Sequence, residues 1–327
     1  AGTLLLDGAL STSTDLIVSS GATFDLQAAQ TVATLDLDGT ISRSSGTSSL
    51  TVTGVSSLGG SITTSGTQTY GGNVTLTGNT TLSTTNSKIT VNGTVNSEAS
   101  ETNTLTVNVG TSEIELNGIV GGSVGLGAMD INGDLNLDAA ITSAASIDVS
   151  LESDLGADVT TSGTQTYNGA TTLSGGARTL EGSTINFGDT LAGGTNALVI
   201  TGALDLDGAA TGLASINVSS TSDLGASVTT SGSQTYQGAV TLSADNTLTT
   251  TDSNVSFDST VDGDQALIIA AGSGNITFTG AVGGTTKLNS MTLTGAQITA
   301  AAIGADGTLS VTNSGASSIT GVISQAS

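Results

Sequence analysis

One seven-residue phrase occurs three times in this chain: TSGTQTY at Thr64–Tyr70, TSGTQTY again at Thr161–Tyr167, and TSGSQTY at Thr230–Tyr236. Such self-similarity narrows the choice of fold sharply, because a repeating chain builds one supersecondary unit and stacks copies of it. The copies run well past the phrase. ASIDVSLESDLGADVTTSGTQTY (Ala145–Tyr167) returns as ASINVSSTSDLGASVTTSGSQTY (Ala214–Tyr236), and Asp130–Ser143 aligns in the same frame with Val199–Gly212. The tyrosines stand 97 and 69 residues apart, so the second interval lacks one or two structural units.

A shorter period lies beneath the long one. NVSFDSTVDG (Asn254–Gly263), NITFTGAVGG (Asn275–Gly284), QITAAAIGAD (Gln297–Asp306) and SITGVISQAS (Ser318–Ser327) share a pattern whose first apolar residues, Val255, Ile276, Ile298 and Ile319, step by 21, 22 and 21. Apolar residues alternate with Thr, Ser and Asn, as in Val74-Thr75-Leu76-Thr77, which reads as short half-buried strands. No window carries a helical apolar stripe, so almost no helix is expected. A unit of 21–23 residues cannot bury its own apolar side chains, whereas stacked coils share one core. The expected fold is an all-β parallel β-helix, a β-solenoid of about 15 coils at about 4.8 Å per coil. The four first apolar residues should form one column. The solenoid is expected to be a single array over 1–327, with 1–60 a less regular start and the long repeats marked by 64–70, 161–167 and 230–236.

Composition agrees. There are 46 Gly and no Pro; an average share of about 5% would give roughly 16 prolines. Glycine suits corners with positive φ, and proline cannot donate to a neighbouring coil. Only 9% of residues are charged, which argues against disorder. Non-identical coils with regular turns argue against amyloid stacking. The net charge of −23, from 27 acidic and 4 basic residues, excludes nucleic acid as a partner, since phosphates require cationic neutralisation. It also disfavours anionic membranes, and no membrane-inserting segment is visible. With no Cys there is neither a disulfide framework nor a thiolate metal site. The start at Ala1, with no signal peptide, reads as a piece processed or excised from something longer.

Candidate chemistry is sparse. Histidine and cysteine are both absent, so nucleophile–base catalysis lacks its commonest partners. Polysaccharide cleavage needs carboxylates with basic groups on one face. Lys88 lies 18 after Tyr70 and Arg178 lies 11 after Tyr167, so these two occupy different coil positions, and Arg43, Lys88, Arg178 and Lys287 read as scattered solvated charges. Acidic residues give one metal expectation. Asp15 and Asp36 are 21 apart, and Asp134/Asp154 and Asp138/Asp158 are each 20 apart. Coil stacking would bring each pair together, and weak surface Ca²⁺ would bridge the carboxylates; the alternative is a solvated acidic face. Asp252, Asp258, Asp262 and Asp264 cluster around one turn. Tyr70, Tyr167 and Tyr236 hold the same repeat position, where they either contact glycans or pad the core. Phe187, Phe257 and Phe278 are expected inside. Ice binding would require Thr-x-Thr ranks on successive coils, and Thr67 and Thr69 recur only once per long repeat.

The opening AGTLLLDGAL (Ala1–Leu10) and SSGATFDLQAAQTVATLDLDGTI (Ser19–Ile41) resemble passenger domains of bacterial autotransporters, more narrowly the autotransporter-associated β-strand repeat. LSVTNSGASSITGVISQAS (Leu309–Ser327) resembles the segment that precedes such a repeat. The phrases at Thr161–Leu173 and Thr230–Leu242 resemble repeats of filamentous-haemagglutinin-type adhesins. The resemblance implies a right-handed β-helix, secretion, and service as a cell-surface stalk, adhesin or biofilm fibre. No membrane-barrel domain follows, and Ser327 is not the aromatic terminus expected of one, so the chain reads as a slice or unit of a longer array. The functional expectation is a non-enzymatic, acidic structural segment at the bacterial surface, without a cofactor, whose partner is another copy of itself. Surface glycans are the alternative partner.

Overall fold

A computed structural model describes residues 2–325; Ala1, Ala326 and Ser327, the outer ends of the opening and closing phrases, lie outside the described residues. The fold is all-β, with no helix among the described residues, and its parallel strands stack in about 16 turns as a β-solenoid. The chain groups into two compact units, Ala1–Asn168 and Gly169–Ser327, each taken by itself below.

In the first unit, three strand columns run from coil to coil. One starts at the exposed Leu4 and carries inward Phe24, Ile41, Ile62, Leu82, Val107, Ile131, Val149 and Tyr167, each the partner of the next. A second carries Val32, Val52, Tyr70, Val91, Leu116, Leu137 and Leu155. A third stacks Val18, Leu37, Leu58 and Leu76. Strict alternation produces this arrangement. In Thr34–Leu37 the leucines are buried while Asp36 is exposed, because successive side chains of a strand point to opposite faces.

The second unit repeats the scheme. Leu180, Ile200, Val218, Tyr236, Phe257, Phe278 and Ala300 form one inward column, with Ile319 next. Phe187, Phe257 and Phe278 lie inside, as expected. Val255, Ile276 and Ile298 stack in register. Ile319 departs from that expectation: it pairs with Ala300, and so continues the column of Phe257 and Phe278. The final step has shortened to 19 residues, which moves the strand by one inward position.

Coil length varies more widely than the last third of the sequence suggests. Thr23 pairs with Thr40 after 17 residues, Asp130 with Asp148 after 18, and Thr81 with Thr106 after 25. The strands keep register while the turns absorb the difference.

Corners explain much of the glycine. Gly54, Gly72, Gly93 and Gly118 follow one another at one corner of the first unit. A Cβ on Gly93 would lie 2.3 Å from the Gly72 carbonyl oxygen, and one on Gly118 would lie 2.1 Å from that of Gly93. None of the four has a positive φ. Close backbone approach, rather than φ, requires glycine there. Left-handed conformation is instead supplied at two other corners by Asn86 and Asp252, with φ of 48° and 52°.

Candidate functional site

The repeated phrase builds a buried polar knot. In Gln68–Tyr70 the flanking residues point inward and Thr69 outward, so Gln68 stands in an inward column between Leu50 and Ile89. A buried carboxamide must satisfy its donors and acceptor; the phrase supplies Thr64 and Tyr70, and the strand Thr80–Ser83 supplies a carbonyl. Gln68 Nε2 donates to the Ser83 carbonyl at 2.8 Å and to Thr64 Oγ1 at 3.3 Å, while Tyr70 Oη donates to Gln68 Oε1 at 2.8 Å. Thr64 Oγ1 in turn donates to the Gly66 carbonyl at 2.7 Å.

The other copies repeat this arrangement. Tyr167 Oη donates to Gln165 Oε1 at 3.1 Å and Tyr236 Oη to Gln234 Oε1 at 3.3 Å. Thr161 and Thr230 close their corners on the Gly163 and Gly232 carbonyls at 2.9 and 2.6 Å. All three tyrosines are 0% exposed, and burial drives each phenol's pKa far above its ordinary value. The glycan contact expected at Tyr70, Tyr167 and Tyr236 is therefore corrected, since no sugar reaches a ring sealed between coils. These residues are core padding with a polar tether.

The carboxylate pairs expected to hold Ca²⁺ are also not formed. Asp15 pairs with Thr34, whose Oγ1 donates to Asp15 Oδ1 at 2.7 Å, while Asp36 pairs with Ile17 and Ser57. Asp154 stacks on Asn136, and Asp134 instead accepts the Glu152 amide at 3.0 Å. Leu137 pairs with Leu155, so Asp138 falls two positions out of register with Asp158. The physical reason is the coil step: it is 19 where 21 would align Asp15 with Asp36, and 18 where 20 would align the other two pairs. Among the described residues no group of three or more acidic side chains is placed to hold a metal ion.

Many acidic and amide side chains serve the coil above. Asp252 Oδ1 accepts the Ser273 amide at 2.8 Å, Asp262 Oδ1 the Thr285 amide at 2.7 Å, and Asp245 Oδ1 the Ala266 amide at 2.8 Å. Asn73, Asn79 and Asn254 do the same for Thr94, Thr104 and Asn275. A short polar side chain at a corner thus satisfies a turn amide one coil away, where no strand ladder reaches. The cluster Asp252/Asp262 is of this kind.

Carboxylates do stack in register elsewhere, at pairings the sequence analysis missed: Glu113 with Asp134, Asp130 with Asp148, and Asp205 with Asp223. Asp205 pairs with Asp223 in register, above Asn186 and below Thr241. Partial burial, with Asp207 and Asp223 nearby, raises the pKa of Asp205. The signal was present in the alignment of the two long copies, where Asp205 and Asp223 are 18 apart, as are Asn136 and Asp154.

Basic residues are committed to structural contacts. Lys88 bridges Glu113 and Glu115 at 2.7 and 2.9 Å, which raises its own pKa and lowers that of Glu115. Lys287 pairs with Asp306 at 3.1 Å, and Arg43 donates to the Gly46 carbonyl at 2.8 Å. Arg178 corrects the expectation of solvated charges. It is 8% exposed, faces inward opposite Leu198, and donates to the Ala177 and Ser174 carbonyls.

Outward positions show a second feature missed in the sequence. Thr3, Thr23, Thr40, Ser61, Thr81 and Thr106 stack on six successive coils of the first unit. Hydroxyl ranks do recur once per coil, contrary to the expectation, and Thr69 itself stands in one, Thr31–Thr51–Thr69–Thr90.

No family model matches this chain, and neither a curated protein nor a solved structure matches it. The likeness to autotransporter passengers and filamentous adhesins therefore rests on the residues quoted above.

Proposed function

We propose that this chain is a non-enzymatic structural segment of a secreted bacterial surface fibre or giant adhesin, an acidic solenoid that continues into further repeats or meets another copy end to end. The carrying observation is the state of the outermost strands. Thr3–Leu6 pairs only with Thr23–Leu26, and Leu309–Asn313 pairs only with Ser290–Gly295. Each leaves one edge of amides and carbonyls without a strand partner among the described residues, and such an edge is a template for another strand. Apolar side chains accompany both edges. Leu4, Leu5 and Ile17 are 56–68% exposed beside the first, and Val322 is 74% exposed near the last.

The rest of the site inventory supports the same reading. The tyrosines and Arg178 are sealed in the core, and corner acids such as Asp245, Asp252 and Asp262 bond the adjacent coil. The net charge of −23 keeps the side walls of neighbouring molecules apart, which leaves the ends as the place of contact. Electron microscopy and light scattering at rising concentration test this. End-to-end filaments are expected, and Leu5→Asp with Ile17→Lys should shorten them. A monodisperse monomer at high concentration would overturn the self-association arm, and turnover of a polysaccharide would overturn the non-enzymatic one.

A further inference from the structure

We propose that one face of the first unit is an ice-binding surface. The face is built from Thr40–Ser42, Ser61–Thr63, Thr80–Ser83 and the start of Leu105–Leu116. On each strand two outward residues flank one inward apolar residue: Thr40 and Ser42 flank Ile41, Ser61 and Thr63 flank Ile62, and Thr81 and Ser83 flank Leu82. On the fourth strand Thr106 and Asn108 flank Val107. Register aligns these pairs into two parallel ranks, Thr40–Ser61–Thr81–Thr106 and Ser42–Thr63–Ser83–Asn108. Thr3 and Thr23 extend the first rank by two coils; Asp130, the partner of Thr106, ends it.

Three observations together specify the occupant. First, the spacing is periodic in two directions, about 4.8 Å between strands and about 6.7 Å along each strand. Both repeats are close to oxygen–oxygen repeats on the surface of hexagonal ice, and a globular ligand would need neither. Second, the hydroxyls of Thr23, Thr40, Ser61, Thr81 and Thr106 make no hydrogen bond within the protein, although turn hydroxyls such as those of Thr64 and Thr84 are engaged. Their donors and acceptors are free for ordered water. Third, the eight outward residues of these four strands include no charge, in a chain of net charge −23 with 27 acidic residues. Charges hold liquid-like hydration and disrupt a lattice match.

A single hydroxyl gains nothing by exchanging liquid water for ice. An array fixed in register gains at every position at once, because stacked coils have already lost the freedom that binding would otherwise remove. The inward Ile41, Ile62, Leu82 and Val107 are 0–2% exposed, so the strands that carry the ranks are anchored in the core.

The test is partition of the full chain into a slowly growing ice shell from dilute solution, with an inert globular protein as control. The wild type is expected to enter the ice while the control is excluded. Thr40→Lys with Thr81→Lys, both outward and unbonded, should reduce entry to the control level. Ser57→Lys with Thr75→Lys, in the column that carries Asp36, should not. Circular dichroism establishes that both variants fold, and a single Thr81→Lys serves if the double variant does not. Exclusion of the wild type, or equal entry of the two variant pairs, overturns the proposal. Retention on crystalline cellulose or chitin without entry into ice also overturns it and reassigns the face to glycan.

Discussion

The ring of Tyr236 stacks on that of Phe257 with centroids 5.2 Å apart and planes 14° from parallel, and Phe257 stacks on Phe278 at 4.9 Å and 5°. Three successive coils thus place aromatic rings one above another in a single inward column. Removing the middle ring leaves a cavity that neighbours fixed by strand register cannot fill. Phe257→Ala is therefore expected to destabilise the second unit by about 3–5 kcal/mol, read from denaturant unfolding, and Phe257→Leu by much less.

The polar knot should be more sensitive at its amide than at its phenol. Gln234 Nε2 donates to the Val228 and Thr249 carbonyls at 3.1 and 3.0 Å, and its Oε1 accepts from Tyr236. Gln234→Leu strands several buried groups at once, and a loss of roughly 2–4 kcal/mol is expected. Tyr236→Phe removes one donor that is itself the outer end of the chain of bonds, so about 1 kcal/mol is expected. Equal losses for the two would show that the tyrosine hydroxyl, not the carboxamide, organises the corner.

Corner glycines give a third expectation. Gly93→Ala forces a methyl group onto the Gly72 backbone, and overpacking of this kind costs about 1–3 kcal/mol. Gly176→Ala meets nothing within 4 Å, although its φ of 129° is itself unfavourable for alanine. The two substitutions separate steric closeness from backbone conformation. Hydrogen exchange should show opening around Gly72 and Gly118 in the first variant, and only at the substituted turn in the second.

Acid dependence should carry two opposing signs. Asp205 has its pKa raised, by burial first and then by Asp207 and Asp223. Its contribution to stability is complete below the ordinary aspartate value of 3.8 and is lost as pH rises through its folded value. Asp205→Asn should therefore raise the Tm at neutral pH, and the gain should vanish in acid. Asp25 behaves oppositely. The Ser44 hydroxyl and amide hold its carboxyl below the ordinary value. Its contribution is present above 3.8 and disappears as pH falls through the folded value. Asp25→Asn should lower the Tm at neutral pH and matter less in acid.

Calcium should have no specific effect. With Asp15, Asp36, Asp134, Asp154, Asp138 and Asp158 held out of register, equal melting temperatures in excess Ca²⁺ and in chelator are expected. A saturable rise with micromolar Ca²⁺ would point to a site on another face, and Asp205 with Asp223 would be the first to replace.

Architecture was legible because inward alternation survives every change of turn. Leu35 and Leu37, or Val74 and Leu76, announce a buried strand face whatever the coil length. The meeting of outward residues was not legible, because it depends on the number of residues in each turn. A step taken as 20 or 21 and found to be 18 or 19 separates Asp134 from Asp154, and it joins Asp205 to Asp223 instead. The tyrosines were readable in principle: in Gln-Thr-Tyr the outer two residues share a face, and the next strand, Val74–Leu76, places its apolar residues inward in the same way. What concealed this was the glutamine, which reads as a surface residue until its partners in the phrase are counted.

Tyr70 and Tyr167 belong to identical phrases, yet they stand in different columns of the same unit. The stretch that separates them is therefore not a whole number of windings. Each time such a segment is duplicated during evolution, its internal tether is preserved while its outward decoration swings to another side of the axis. A fibre lengthened by copying would present any phrase-borne epitope along a spiral. The hydroxyl strip follows a side and not a phrase, so duplication alone cannot lengthen it.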